Sequence, residues 1–370
     1  MKEVLKLSRV SEYLDNIKEY AYKDIAHIQN NVLNKNPYTS EFINNYIFNI
    51  HSKNISKLFL FKKIFIYYMV SGLRFILFLS NFIIFKLFWK KNKVDFDHKI
   101  YFLDIYFLVD KIILEKDFKD TYLSGLYDIL EERNQRYVFL PRLFGVNQNP
   151  LKFIKLISIL NSDEKNKFLL EYELLNFSDI LKILTFILAY PIKQFDIIQP
   201  NNSALDKYFN YELFNCLPHT SFTAYTRYLV GVKISKKLSV NSKIFSWQEF
   251  QNIEKAFYRA IRKTNKNVFI YGCEFLIKYK NYLSMHITDT DVRLQVVPHR
   301  TFTNGAYNYS KSSRHNFSNG VSLRYKKLFN HVGEFGNMSG MLVLLSYNVL
   351  ESKNLLTIME NKENIKLKLH

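Results

Sequence analysis

His299, Asn304 and Tyr307 lie within nine residues of one another, and all three can bind or move a proton. They follow "RLQVVPH" (Arg293 to His299), which reads as a strand, and flank "NGAY", a turn in which Gly305 can take positive φ. Open α/β sheets collect their ligands outside the carboxyl ends of strands, so these residues are cleft candidates. The same residue types also cap and turn chains. Just upstream, Asp289-Thr290-Asp291 puts two carboxylates around one residue, a pattern that can chelate a hard cation. Its setting reads as a solvated polar turn, and neither a metal nor a cofactor is expected. The sequence carries no glycine-rich dinucleotide fingerprint, P-loop, paired-histidine or nucleophile-elbow motif.

The elements that would position these groups read as alternating helices and strands. From Lys243 onward a helix is expected, marked by Glu249, Asn252, Lys255, Arg259 and Arg262 and followed by the apolar strand "VFIYG" (Val268 to Gly272). Upstream, "KIYFLDIYFLVD" (Lys99 to Asp110) is β-like and "DTYLSGLYDILEERNQ" is helical. "RYVFLPRLFG" reads as a buried strand ending at Pro141. Two helices follow, separated by a cap at Asn176 to Asp179, and then "TAYTRYLVGVKISKKL", a further helix. The tail repeats the pattern in miniature: an apolar run from Met341 to Leu345, a helix-like stretch, and the alternating Ile365, Leu367 and Leu369.

The chain has 370 residues, with 52 Lys and Arg against 33 acidic residues, a net charge of +19 that favours polyanionic partners. Lysines are spread along the whole chain and no nucleic-acid module is recognisable, so no nucleic acid is expected. Phe and Tyr are abundant, at 33 and 26 residues, which calls for a large core or a membrane surface. Cys216 and Cys273 lack metal spacing, and the polar N-terminal segment lacks the apolar core of a signal peptide.

Between Ile64 and Phe85 the residues are almost wholly apolar, with Lys62 and Lys63 before them and Lys90 and Lys91 after. Arg74 stands at the centre, where a charge costs about 2.5–3.5 kcal/mol in a bilayer. On a helical wheel Lys63, Tyr67, Ser71, Arg74 and Asn81 share one side. A helix lying in the membrane interface with its cations on lipid phosphates is therefore expected, a transmembrane span or a buried core helix being the other readings.

Several stretches resemble bacterial surface-carbohydrate biosynthesis proteins, the GT-B-type, two-Rossmann glycosyltransferase-like proteins of O-antigen and capsule assembly. They are "SWQE", "EKAFYRAIR" and "IYG"; the "VPH…NG.Y" turn; "GVSLRYKKLF"; "LVLLSYNVLESKNLL…IKLKLH"; and, upstream, "DFKDTYLSGLYDIL". Lys368 and His370 match a K-x-H-P pattern that runs, in the family, into a nucleotide-sugar-binding domain. The proline is missing, so the chain is expected to be truncated, as an enzyme or as a remnant whose donor domain is incomplete.

The resemblance implies a GT-B-like α/β fold: a helical region at 1–98 with a membrane-associating segment at 64–85, a Rossmann-like acceptor domain at 99–308, a linker at 309–339, and at 340–370 only the first β-α-β unit of a second Rossmann domain. It implies sugar transfer from a nucleotide-sugar to a lipid-linked glycan at the cytoplasmic face of the inner membrane, the protein being peripheral or monotopic on an anionic surface. A non-catalytic scaffold of a polysaccharide-assembly complex is the alternative. Glu249 and His299 would be catalytic, Arg262, Asn304, Gly305 and Tyr307 would bind substrate, and Lys368 and His370 would face the donor phosphate.

Overall fold

The computed structural model describes residues 2–36, 39–50, 55–90, 94–96, 99–120, 122–144, 149–239, 241–274, 288–296, 300–303, 317–319, 341–344, 356–357 and 365–368. The chain divides into two units, Met1–Arg324 and Tyr325–His370.

The first unit is built on a parallel sheet. Its strands are β1 (Tyr101–Leu108), β2 (Tyr137–Phe144), β3 (Lys243–Trp247), β4 (Phe269–Cys273), β5 (Arg300–Thr303) and β6 (Phe317–Asn319), in the spatial order β2-β1-β3-β4-β5-β6. Every pair is parallel, with Tyr101 opposite both Tyr137 and Lys243 and Lys243 opposite Phe269. This is a Rossmann-like α/β fold. The strand order reverses between β1 and β3, and such a switch point opens a crevice at the carboxyl ends of the strands. Phe102, Leu103, Ile105 and Phe107 on β1 are all buried, so both faces of that strand are covered, as parallel sheets require. Much of the aromatic excess is spent here: Phe107, Phe118, Phe139 and Phe168 form one cluster with centroids 4.3–6.1 Å apart.

Several expected boundaries move. The strand expected to end at Pro141 runs on to Phe144. It is an edge strand, where proline's missing N–H costs no ladder bond on the outer side. The helix expected from Lys243 begins only at Asn252, because Lys243–Trp247 is strand β3, inserted between β1 and β4. Of the strand expected over Arg293 to His299, Arg293 ends a short helix, Asp289–Arg293, Leu294 and Gln295 form a turn, and residues 297–299 lie outside the described residues; a strand starts at Arg300. β6 falls inside the expected linker.

Among the helices, α1 (Lys2–Ala21), α2 (Lys57–Phe88), α3 (Phe177–Gln194), α4 (Thr223–Lys237) and α5 (Asn252–Thr264) matter most below. Ser56 caps α2 by accepting from the Phe59 N–H at 3.1 Å. Asn176 and Asp179 close a capping box on α3, where the sequence places a cap. α4 and α5 pack closely because Gly231 has no side chain. A Cβ there would lie 2.8 Å from the Ala260 Cβ and 3.0 Å from the Phe257 carbonyl oxygen.

In the second unit β7 (Met341–Leu344) and β8 (Ile365–Lys368) pair in parallel, and Leu356 and Thr357 between them are helical. Parallel neighbours need a crossover, which agrees with the strand-helix-strand order expected there.

Candidate functional site at the sheet switch point

The centre of the first unit is charged. Asp104 interrupts the apolar run of β1, is fully buried, and is surrounded by donors. Arg142 of β2 gives it two bonds, from Nε at 2.9 Å and Nη2 at 2.6 Å. Arg227 of α4 gives one at 2.8 Å and Ser246 of β3 one at 2.7 Å. These partners hold its carboxyl below the ordinary value despite burial. Nη1 of Arg142 reaches Glu254 at 2.6 Å, and Nη2 also approaches the Ser246 hydroxyl at 2.8 Å and the Trp247 carbonyl at 2.9 Å. Arg142 thus ties three strands and helix α5 together.

This network fixes the loop after β3. Glu254, whose Oε1 takes the Arg142 bond, accepts with Oε2 from the backbone N–H groups of Gln251 at 2.7 Å and Glu249 at 3.2 Å. Glu249 therefore stands in the strand-to-helix connection at the carboxyl end of β3, beside the switch point, rather than on the expected helix. Its side chain accepts from the Trp247 indole at 3.1 Å. Trp247 in turn meets Tyr106 of β1 and Tyr122 edge-on, with centroids 5.4 Å and 4.4 Å away. Burial raises the Glu249 carboxyl above the ordinary value, against the pull of the indole bond and Arg142. A half-buried carboxyl with a raised pKa at a strand end is a candidate for proton transfer.

The other sequence candidates scatter. Arg262 lies at the last turn of α5, at the amino end of β4, and donates to the Val268 carbonyl at 3.0 Å and the Lys266 carbonyl at 3.4 Å. It is buried, at the opposite end of the sheet from Glu249. His299, Asn304, Gly305, Tyr307, Lys91 and His370 lie outside the described residues, and Lys368 is placed only as part of β8. Of the acidic triplet, Asp289 is exposed while Asp291 is fully buried and engaged by lysines: Lys18 at 3.2 Å and Lys255 at 3.5 Å. Asp15 pairs with Lys18 at 3.2 Å and with Lys35 at 3.5 Å. Three lysines against two aspartates leave this cluster one positive charge in excess, and burial holds the Lys255 ammonium down to about 8.

Helix α2 departs from expectation in orientation. Its polar stripe, Tyr67, Ser71, Arg74 and Asn81, turns into the protein, while Phe61, Phe65, Met69, Leu73, Ile76, Ile83 and Leu87 stand exposed. Lys62 and Lys90 are exposed, and Lys63 leans on the Asn215 carbonyl at 3.4 Å. Beside it runs α3, joined by hydrogen bonds from Tyr67 to the Ile187 carbonyl and from Tyr68 to the Leu188 carbonyl at 2.8 Å. α3 carries its own exposed stripe, Leu181, Leu184, Leu188 and Ile192, at helical spacing. α2 is long and apolar enough to cross a membrane, yet only 28% of its most apolar window is buried in the protein. Two adjacent helices thus expose apolar rows, the kind of surface that marks an interaction site.

Sequence reasoning missed Asp104, Arg142, Arg227 and Glu254. A lone charge inside an apolar strand, as in "YFLDIYFL" and "FLPRLF", was the available signal. Compared with protein-family models, curated proteins and solved structures, the chain matches none of them.

Proposed function

We propose that this chain is a membrane-surface glycosyltransferase of the surface-carbohydrate type, using a nucleotide-sugar donor and a lipid-linked glycan acceptor at the cytoplasmic face of the inner membrane. The observation that carries the reading is the position of Glu249: a half-buried carboxyl with a raised pKa at the β1/β3 switch point, in a unit that exposes a two-helix apolar face. Glu249 takes the acceptor hydroxyl proton as the sugar is transferred. The apolar rows of α2 and α3 rest in the acyl region, with Lys62 and Lys90 at the level of lipid phosphates. In this reading the unit that holds β7–β8 binds the nucleotide-sugar, with Lys368 as its diphosphate contact.

The test is release of nucleotide diphosphate from a panel of nucleotide-sugars, with membranes bearing lipid-linked glycans as acceptor. Glu249→Gln should lower kcat by about 10²–10⁴ without changing the melting temperature by more than a few degrees. Full activity in that variant refutes the assignment of the base. No turnover in the unaltered protein favours the second reading, a non-catalytic membrane-associated scaffold. That reading draws on Arg142 and Asp104, which are engaged by each other and by Glu254, Ser246 and Arg227 inside the protein.

A further inference from the structure

A separate cavity of about 270 Å³ lies between the inward face of α2 and the start of α4. It lies toward the lower end of small-molecule sites, so it suits a ligand with one ring or one short polyol rather than an extended glycan. Its walls are chemically uneven. Arg74, the hydroxyls of Ser221 and Thr223, Asn81 and Glu171 all line it, beside Phe78 and Phe222.

Arg74 donates one bond to the Thr220 carbonyl at 3.1 Å, and no carboxylate lies within ion-pair distance of it among the described residues. Ser221 and Thr223 share a 2.6 Å hydroxyl contact beside it. Asn81 is 0% exposed; its amide nitrogen faces the Tyr172 hydroxyl, while its amide oxygen accepts no hydrogen bond from the described residues. Burying an unpaired amide oxygen costs about 1–3 kcal/mol, which a ligand hydroxyl would offset. The Glu171 side chain makes no ion pair and accepts no hydrogen bond from described residues. Burial raises its carboxyl, with Arg227 pulling the other way.

We infer that this cavity binds a phosphate ester of a sugar or polyol, the phosphate on Arg74, Ser221 and Thr223 and the hydroxyls on Asn81 and Glu171. An unpaired arginine flanked by hydroxyls fits a phosphate. An amide and a carboxyl, each with free acceptors, fit neighbouring hydroxyl groups, and they distinguish this ligand from a bare anion. A phosphate ester of a polyol is a chemistry shared by lipid headgroups and free metabolites, and the experiment separates the two sources. The inference does not depend on the transfer reaction proposed above.

The experiment is calorimetric titration of the full chain in mild detergent with glucose 1-phosphate, inorganic phosphate and glucose. In parallel, vesicles of phosphatidylcholine doped with phosphatidylinositol are compared with the same vesicles doped with phosphatidylserine, which has equal charge and no polyol. Glucose 1-phosphate should bind at least tenfold more tightly than phosphate or glucose, or phosphatidylinositol vesicles at least tenfold more tightly than phosphatidylserine vesicles. The first result assigns a soluble source, the second a lipid one, and both support the site. Arg74→Met and Asn81→Leu should each lower that affinity at least tenfold. Thr223→Val, at a half-buried hydroxyl, serves if either variant fails to fold. No preference for the polyol phosphate in either arm, or affinity unchanged in the folded variants, overturns the inference.

Discussion

Asp104→Asn tests the organisation of the charged centre most directly. The carboxylate accepts four hydrogen bonds, three of them from two buried guanidinium groups. Arg142 keeps Glu254 as a second anion when Asp104 is neutralised, but Asp104 is the only carboxylate in ion-pair contact with Arg227 among the described residues. The Nε and Nη1 atoms of Arg227 are already buried without hydrogen-bond partners, and its ring contact with Phe257, at 4.2 Å, cannot replace a counter-ion. Removing one partner of a buried pair costs about 3–5 kcal/mol, since the other charge stays in a poor solvent. In a unit of this size that corresponds to a fall in melting temperature of about 4–7 °C, followed by far-ultraviolet circular dichroism in mild detergent. Adding Arg227→Met should recover at least half of the loss, because the stranded charge is gone and the replacement is apolar. The contribution also has a defined pH window. The Asp104 carboxyl lies below its ordinary 3.8 when folded, so its stabilisation is complete above that value and is lost only as the pH falls through the lower folded value. Asp104→Asn within about 1 kcal/mol of the parent, or a double variant equal to the sum of the singles, refutes this account.

Other expectations follow from the same coordinates. Glu212 is buried and its carboxyl is pushed up to about 7 from 4.5. The folded state therefore holds that proton more tightly, and stability drops by about 3 kcal/mol as the pH rises from 4.5 to 7. Glu212→Gln should flatten that slope in urea titrations at several pH values; an unchanged slope refutes it. Gly231→Ala should destabilise by about 1–3 kcal/mol through the α4–α5 contact, whereas Gly72→Ala, with nothing within 4 Å of the new Cβ, should be neutral or raise the melting temperature. Leu73, Leu181 and Leu188 are 60%, 53% and 55% exposed, so changing all three to serine removes about 3 kcal/mol of acyl-chain burial. Flotation with anionic vesicles should then weaken by about 100-fold; unchanged flotation would show that this face does not meet lipid.

What the sequence determined by itself was local. Apolar runs bounded by polar residues located β1 and β4, the Asn176–Asp179 signature located the start of α3, and the strand-helix-strand order at the tail agrees with the parallel β7–β8 pair. The segment "KIFSW" is short and runs straight into a helical sequence, and only its insertion between β1 and β4 makes it a strand. Helical periodicity likewise identified the polar stripe of α2 but not the side it faces. The structure turned that stripe inward because Arg74 finds the Thr220 carbonyl and Tyr67 finds the Ile187 carbonyl there. Asp104, Arg142 and Arg227 stand 38 and 85 residues apart along the chain, and no spacing rule relates them. Their meeting depends on strand order and on how α4 packs, since a charge in an apolar strand is tolerated only where the rest of the fold delivers its counter-ion.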